Sequence, residues 1–195
     1  MAQSLTFLQK IKQKMRTKSE LRKEIRIKKK ALSKEFMADA QTRCFKNLVS
    51  TPFWQQSDTI LTYISYNHEM GTRYLIEEAL RSGKKVAAPR VEGSIMNFYL
   101  FDSFDDLVKS EQGILEPLPN GRPIGEDGLM IMPGVAFDLN RNRIGYGGGF
   151  YDKYIEKHPL HKKIALAYDF QIFDVIEHER HDMKPDLILT ETRII

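Results

Sequence analysis

The sequence predicts a single three-layer α/β/α domain with a largely parallel central sheet. Three observations lead there. Strand-like and helix-like segments alternate through most of the chain, which is the pattern of parallel strands covered by helices on both faces. The strand-like segments are continuous apolar runs rather than period-two alternations, as expected for strands buried on both sides. The 195 residues are enough for one well-buried core, and no internal repeat or low-complexity linker divides them.

Thr17-x-x-Glu20 reads as a capping box just ahead of Leu21 and Ile25, so a helix should begin near Lys18 and run through "ELRKEIRIKKKAL". A second helix is expected over about 36–50, ended by "STP" around Pro52. "DTILTYISY" (58–66) is β-branched and aromatic and reads as a buried strand. Thr72 opens a helix carrying Leu75, Ile76, Ala79 and Leu80 on one face, closed by Gly83. "KKVAAPR" (84–90) and "IMNFYLF" (95–101) are strand-like; a short helix near 104–109 and a Pro/Gly-rich loop, "GILEPLPNGRPIG", follow. "LMIMPGVAF" (129–137) reads as one strand feeding a glycine-rich segment, and "FYDKYIEK" starts a helix directly after it. "KIALAYD" (163–169) and "DLILT" (186–190) supply the last strands.

A content of 42% hydrophobic and 29% charged residues is that of an ordinary soluble globular protein, and the apolar runs are too short to cross a bilayer. No membrane partner is expected. One cysteine, Cys44, excludes an intramolecular disulfide and a multi-thiolate metal site within the chain. That suits a reducing cytoplasm, where the protein is expected to reside. Cys44 falls in the second helix and reads as a buried structural thiol. The net charge of +4 hides an asymmetry: residues 1–34 hold twelve Lys/Arg against Glu20 and Glu24, a balance of +10, and the rest of the chain carries −6. Residues 1–17 read as a basic helical extension, with a targeting helix as the alternative, ahead of a domain over 18–195. Twelve cations make an electrostatic footprint for nucleic acid, but no nucleic-acid-reading motif accompanies them and aromatics are sparse there, so no such partner is expected.

The segment "RIGYGGGFYDKY" (143–154) sets Gly145, Gly147, Gly148 and Gly149 between a strand and a helix. Each glycine weakens regular structure by roughly 0.5–1 kcal/mol relative to alanine. Such a cluster is either a tight turn or a place where backbone approaches a ligand. It matches neither the Walker pattern nor G-x-G-x-x-G. Successive N–H groups in such a turn, with the next helix start, suit anionic oxygens, and Arg143 adds a guanidinium shaped for phosphate. Asp152, in the first helical turn, either complements the helix dipole or holds Mg²⁺. A second carboxylate would come from "HDMKPD", where spacing does not choose between Asp182 and Asp186. Lys18 and Arg22, four apart on one helix face, offer a second anion site or a solvated basic surface. His178 and His181 lie three apart, yet no ligand set completes a zinc site.

Taken together, "KSELRKE" (18–24), "YNHEMGT" (66–72), "GILEP" (113–117), "MPGVAFDLNRNRIGYGGGFYDKYI" (132–155) and "HDMKPD" (181–186) closely resemble the 5-formyltetrahydrofolate cyclo-ligase (methenyltetrahydrofolate synthetase) family, in the family's order. The resemblance implies a three-layer α/β fold and an ATP- and Mg²⁺-dependent ring closure of 5-formyltetrahydrofolate to 5,10-methenyltetrahydrofolate, with ADP and phosphate released through an iminium phosphate. It implies ATP contacts from Lys18, Ser19, Glu20, Leu21 and Arg22, and from Arg143, Ile144, Gly145, Tyr146, Gly147, Gly148, Gly149, Phe150 and Tyr151. Folate contacts are implied for Ile64, Glu69 and the Tyr146 to Phe150 run. Lys18, Arg143 and Asp152 are the implied catalytic residues, and Asp152 with Asp182 the implied Mg²⁺ carboxylates, against Asp186. Mild departures are Ile144 for leucine, Phe150 for tyrosine and Lys153 for arginine. A monomer acting on small molecules is expected. The competing readings are a sugar-phosphate isomerase or acyl-CoA transferase on a similar layout, and a folate-, nucleotide- or RNA-binding protein.

Overall fold

The computed structural model describes residues 16–120, 122, 124–180 and 182–195. Residues 1–15 of the expected extension, and His181 of the histidine pair, lie outside the described residues.

Helix α1 (Lys18–Lys30) starts with both halves of the expected capping box: the Thr17 hydroxyl accepts Glu20 N at 3.2 Å, and Glu20 Oε2 accepts Thr17 N at 2.8 Å. The boundary expected at residue 18 thus cuts through the helix cap. Helix α2 (Lys34–Val49) is capped by Ser33. Pro52, expected as a stop, instead occupies the first turn of a short α3 (Pro52–Gln56), where its preset φ and missing N–H cost nothing. Strand β1 (Thr59–Thr62) ends four residues earlier than expected. The Tyr63 carbonyl is taken by the Thr72 hydroxyl at 2.8 Å, and Asn67 and His68 turn the chain with φ of 48° and 63°. Thr72 spends its hydroxyl on that contact, so it does not cap α4 (Arg73–Arg81) through its side chain.

Strands β2 (Lys85–Glu92) and β3 (Ile95–Phe101) form an antiparallel hairpin. In place of a helix near 104–109 stands a three-residue 3₁₀ turn, Phe104–Asp106, closed by Ser103, followed by β4 (Leu107–Lys109). β4 pairs with β5 (Leu115–Pro117), which lies inside the expected loop. The expected strand 129–137 is two, β6 (Leu129–Met132) and β7 (Ala136–Asp138), broken at Pro133–Gly134, where proline has no N–H for the ladder. The chain continues through β8 (Arg143–Ile144), α5 (Phe150–Lys157), β9 (Lys162–Leu166), β10 (Ile172–Phe173) and β11 (Leu187–Leu189).

Among the described residues the central sheet has six strands in the order β11-β9-β6-β1-β2-β3, parallel except for β3 at one edge. Alternate residues feed opposite layers. Ile60, Leu129, Ile131 and Ile164 pack with α2, α3 and α4, while Leu61, Met130, Met132 and Ala165 pack with Tyr154 and Ile155 of α5. This is the predicted three-layer arrangement. Cys44 is buried in the first layer with its Sγ 3.4 Å from Leu189 O, and burial pushes its thiol up to about 12, which makes it the inert structural thiol expected.

The break at Pro133–Gly134 has a larger effect. It releases β7 into a second, three-stranded sheet, β10-β7-β8. Helix α1 packs there and not on the central sheet, through Leu21 and Ile25 against Val135, Ala136, Ile144 and Ile176. Burying each of those two side chains stabilises the docking by about 1.5–3 kcal/mol. The glycine segment therefore leaves a short strand of the small sheet, directly opposite the cationic face of α1. Among the described residues no helix is long and apolar enough to cross a membrane.

Candidate active site

The segment 145–149 turns the chain from β8 into α5. Gly147 and Gly149 have φ of 112° and 64°, backbone that a side chain would strain, and Gly149 is the residue preceding the helix. At Gly148 an added Cβ would sit 2.6 Å from the Phe150 ring, so a larger residue there displaces Phe150 as well as any ligand. The segment is anchored from α1 by Arg22, whose Nε donates to Gly145 O at 2.9 Å.

On one side of the segment lies a charged cavity of about 520 Å³. Lys18, Arg22, Gly147, Asp152 and Asp182 line it. Its charges come as close opposite pairs. Lys18 Nζ contacts Asp182 Oδ2 at 2.8 Å and Glu179 Oε1 at 2.9 Å. Burial pulls the Lys18 amine down, but its bonds to the two carboxylates win and leave it above its ordinary value. Arg143 Nη2 contacts Asp152 Oδ1 at 2.7 Å, and the same oxygen accepts Met183 N at 2.9 Å. The Arg143 guanidinium is buried and also reaches Pro133 O and Met183 O, both at 3.4 Å. It ties the end of β6, the start of α5 and the 182–186 loop together. Asp186, the alternative to Asp182, accepts Lys163 N at 2.7 Å at the start of β9 and lines neither cavity.

On the other side is a cavity of about 440 Å³ walled mainly by aromatic and aliphatic groups, including Tyr63, Ile64, Met96, Leu115, Phe150 and Tyr151. Glu69, which lines this cavity with Glu116 and Asp152, accepts Tyr66 N at 2.9 Å through Oε2. Burial raises the Glu69 carboxyl above its ordinary value, with the nearby Tyr146 hydroxyl, the Tyr66 N–H and the charge of Lys29 opposing. The Tyr151 hydroxyl is buried with no partner among the described residues. Arg143, Gly145, Gly149 and Asp152 line both cavities.

The structure therefore brings most of the expected site together. From α1 only Lys18 and Arg22 reach a cavity. Ser19 is exposed, Glu20 is spent in the cap and Leu21 is core, and these three line neither cavity. Ile144, Gly145, Gly147 and Gly149 border the charged cavity, while Tyr146, Gly148, Phe150 and Tyr151 border the apolar one with Ile64 and Glu69. Sequence reasoning missed Lys29, behind Tyr146, although its spacing from Lys18 and Arg22 placed it on the same helix face. It also missed Tyr63, Met96 and the β5 wall.

Residues 14–191 match the 5-formyltetrahydrofolate cyclo-ligase family. A probable 5-formyltetrahydrofolate cyclo-ligase of Schizosaccharomyces pombe is 33% identical, over 77% of this chain and 83% of its own. The 5-formyltetrahydrofolate cyclo-ligase of Escherichia coli is 27% identical, over 87% and 98%. Among solved structures, the NMR structure of Aquifex aeolicus 5,10-methenyltetrahydrofolate synthetase superposes with a TM-score of 0.81 at 33% identity, covering 91% of each chain. With the fold, the glycine segment and its two flanking cavities in agreement with the resemblance, this chain belongs to the 5-formyltetrahydrofolate cyclo-ligase family.

Proposed function

We propose that this chain closes 5-formyltetrahydrofolate to 5,10-methenyltetrahydrofolate with ATP and Mg²⁺, releasing ADP and phosphate. The observation that carries this reading is the pair of cavities of opposite character that share Arg143, Gly145, Gly149 and Asp152 as a common wall. A flat pterin, with stacking faces and a hydrogen-bonding edge, suits the aromatic side with its Glu69, and a polyphosphate suits the charged one. The reacting atoms would meet where the two cavities adjoin. Both cavities are lined by one chain, so a monomer suffices.

A formamide carbonyl is a poor electrophile, and N10 cannot expel its oxygen unaided. In the proposed path the formyl oxygen attacks the γ-phosphorus, the bond to the β-phosphate oxygen breaks, and ADP leaves. The resulting N5-iminium phosphate is attacked at carbon by N10. The carbon–oxygen bond then breaks, phosphate departs with the former formyl oxygen, and N10 gives up its proton. Such a transfer needs positioning and charge neutralisation more than a protein nucleophile. Lys18 and Arg22 would exchange their present contacts for phosphate oxygens, and Arg143 would hold Asp152 and the loop in register. Glu69 would accept the N–H groups of the pterin edge.

Asp152 and Asp182 fit a magnesium site: two hard oxygen donors in one cavity, each only partly exposed, with room for phosphate and water to complete the shell. Bound there, the cation would neutralise charge on the transferring phosphate. The test is near-ultraviolet absorbance of the purified protein with 5-formyltetrahydrofolate and Mg²⁺, with and without ATP. Growth of the methenyl chromophore only with ATP is expected. Absence of growth with folded protein and active reagents overturns the proposal and favours a phosphate-binding isomerase or a binding protein.

A further inference from the structure

Lys29 is the third cation on the inner face of α1, seven residues beyond Arg22 and eleven beyond Lys18. Unlike those two it does not open on the charged cavity. It is only 7% exposed, and among the described residues no carboxylate lies within ion-pair distance of its ammonium. A buried ammonium in that position is costly unless something compensates it. What it touches is the Tyr146 hydroxyl, at 3.4 Å. Tyr146 and Glu69 line the same apolar cavity, and the Glu69 charge acts on both the Tyr146 phenol and the Lys29 amine. The Lys29 ammonium donates to the Tyr146 oxygen, which leaves the Tyr146 O–H to donate elsewhere. This contact joins helix α1 to the glycine segment, beside the loop after β1 that carries Glu69.

We propose that Lys29 is a positioning residue for the folate half of the site: through Tyr146 it keeps the Glu69 carboxylate charged and aimed into the apolar cavity, ready for the N–H groups of a pterin edge. This rests on the function proposed above. An ionised carboxylate accepts on both oxygens, whereas a protonated one turns a donor toward the ligand's N–H. Burial drives Glu69 toward protonation, and Lys29 is the cation that opposes it. Burial likewise lowers the Lys29 amine, to about 8, with the Glu69 charge resisting. The other titratable groups around Glu69 are Tyr63, Tyr146, Tyr151 and Tyr168, from β1's end, the glycine segment, α5 and the segment after β9. Burial pushes each of these phenols above the ordinary range, so none changes charge near neutrality. Glu69 is the charged group acting on Lys29.

The test is kcat/KM for 5-formyltetrahydrofolate against pH at saturating ATP and Mg²⁺, since this ratio reports groups of the free enzyme. Wild type should lose kcat/KM as pH rises through about 8, with kcat much flatter. Lys29→Arg, which stays charged throughout, should keep near-neutral kcat/KM and abolish that alkaline fall. Lys29→Met should fold, raise the folate KM by about ten-fold, leave the ATP KM within about two-fold, and move the acid limb to higher pH. In a Glu69→Gln background, adding Lys29→Met should change little, because the carboxylate it serves is gone. A Lys29→Met profile superimposable on wild type, or an alkaline fall that survives Lys29→Arg, overturns the role of Lys29 alone. No methenyl product from wild type at any pH overturns the underlying function and this proposal with it.

Discussion

The two cavities beside the glycine segment solve opposite electrostatic problems. In the charged one, Lys18, Asp182, Arg143 and Asp152 sit within 2.7–2.8 Å of an opposite charge. On the proposed function these partners would be exchanged for phosphate and metal, charge being traded for charge. Beside the apolar one, Lys29 is buried and touches the Tyr146 hydroxyl, while Glu69 is half-buried in the cavity wall. The first cavity resembles a rack of ready ion pairs, the second a shaped pocket with mainly apolar walls. On the proposed function, the difference teaches that affinity for the anion and recognition of the flat ring would come from separate physics, joined at the shared wall.

The largest effect should come from breaking that wall. Asp152→Asn removes the partner of Arg143 and one proposed metal carboxylate, and turnover should drop by about 10²–10³-fold with the fold retained. Unchanged kcat across a Mg²⁺ titration would separate Asp152 from the metal. Next in size is the stability cost of the buried amine. Lys29 titrates at about 8 in the folded protein against roughly 10.4 in an unfolded chain. The unfolded state binds more protons between those values, so stability should rise with pH through that window, by up to about 3 kcal/mol. Urea unfolding at pH 7.5 and 10, with Lys29→Met as the reference lacking this increment, measures it.

A smaller change should separate the two cavities. Lys18→Met should raise the ATP KM by about ten-fold and leave the folate KM unaltered, since a charge-assisted contact is worth about 1.5–3 kcal/mol. Equal effects on both substrates would mean that the cavities do not act separately. The smallest expected effect is that of Tyr146→Phe, which keeps the ring and removes only the hydroxyl between Lys29 and Glu69. About a three- to five-fold rise in folate KM alone is expected, the size of one hydrogen bond.

Much of the fold was legible because its signals are local. The Thr17–Glu20 box, the apolar runs of β1 and β6, and the strand–helix alternation are read within a few residues of chain. The misreadings are also local in origin: Pro133 inside an apolar run and Pro52 after a helix were each weighed without knowing which strand or turn would receive them. The glycine segment stood out because Gly147 and Gly149 need backbone that other residues avoid.

By itself, then, the sequence determined the layered α/β class, the start of α1, the inert buried Cys44 and the glycine segment, together with the family motifs. Only the tertiary structure decided that β7 leaves the central sheet and that α1 docks on the small one. It alone separated Lys18 and Arg22 from Ser19, Glu20 and Leu21, and set Lys29 behind Tyr146. The physical reason is distance along the chain. Periodicity and capping act over three to eight residues. The contacts that assemble the site, from Lys18 to Asp182, Arg22 to Gly145 and Lys29 to Tyr146, join residues 164, 123 and 117 positions apart and exist only once the sheet has ordered the segments between them.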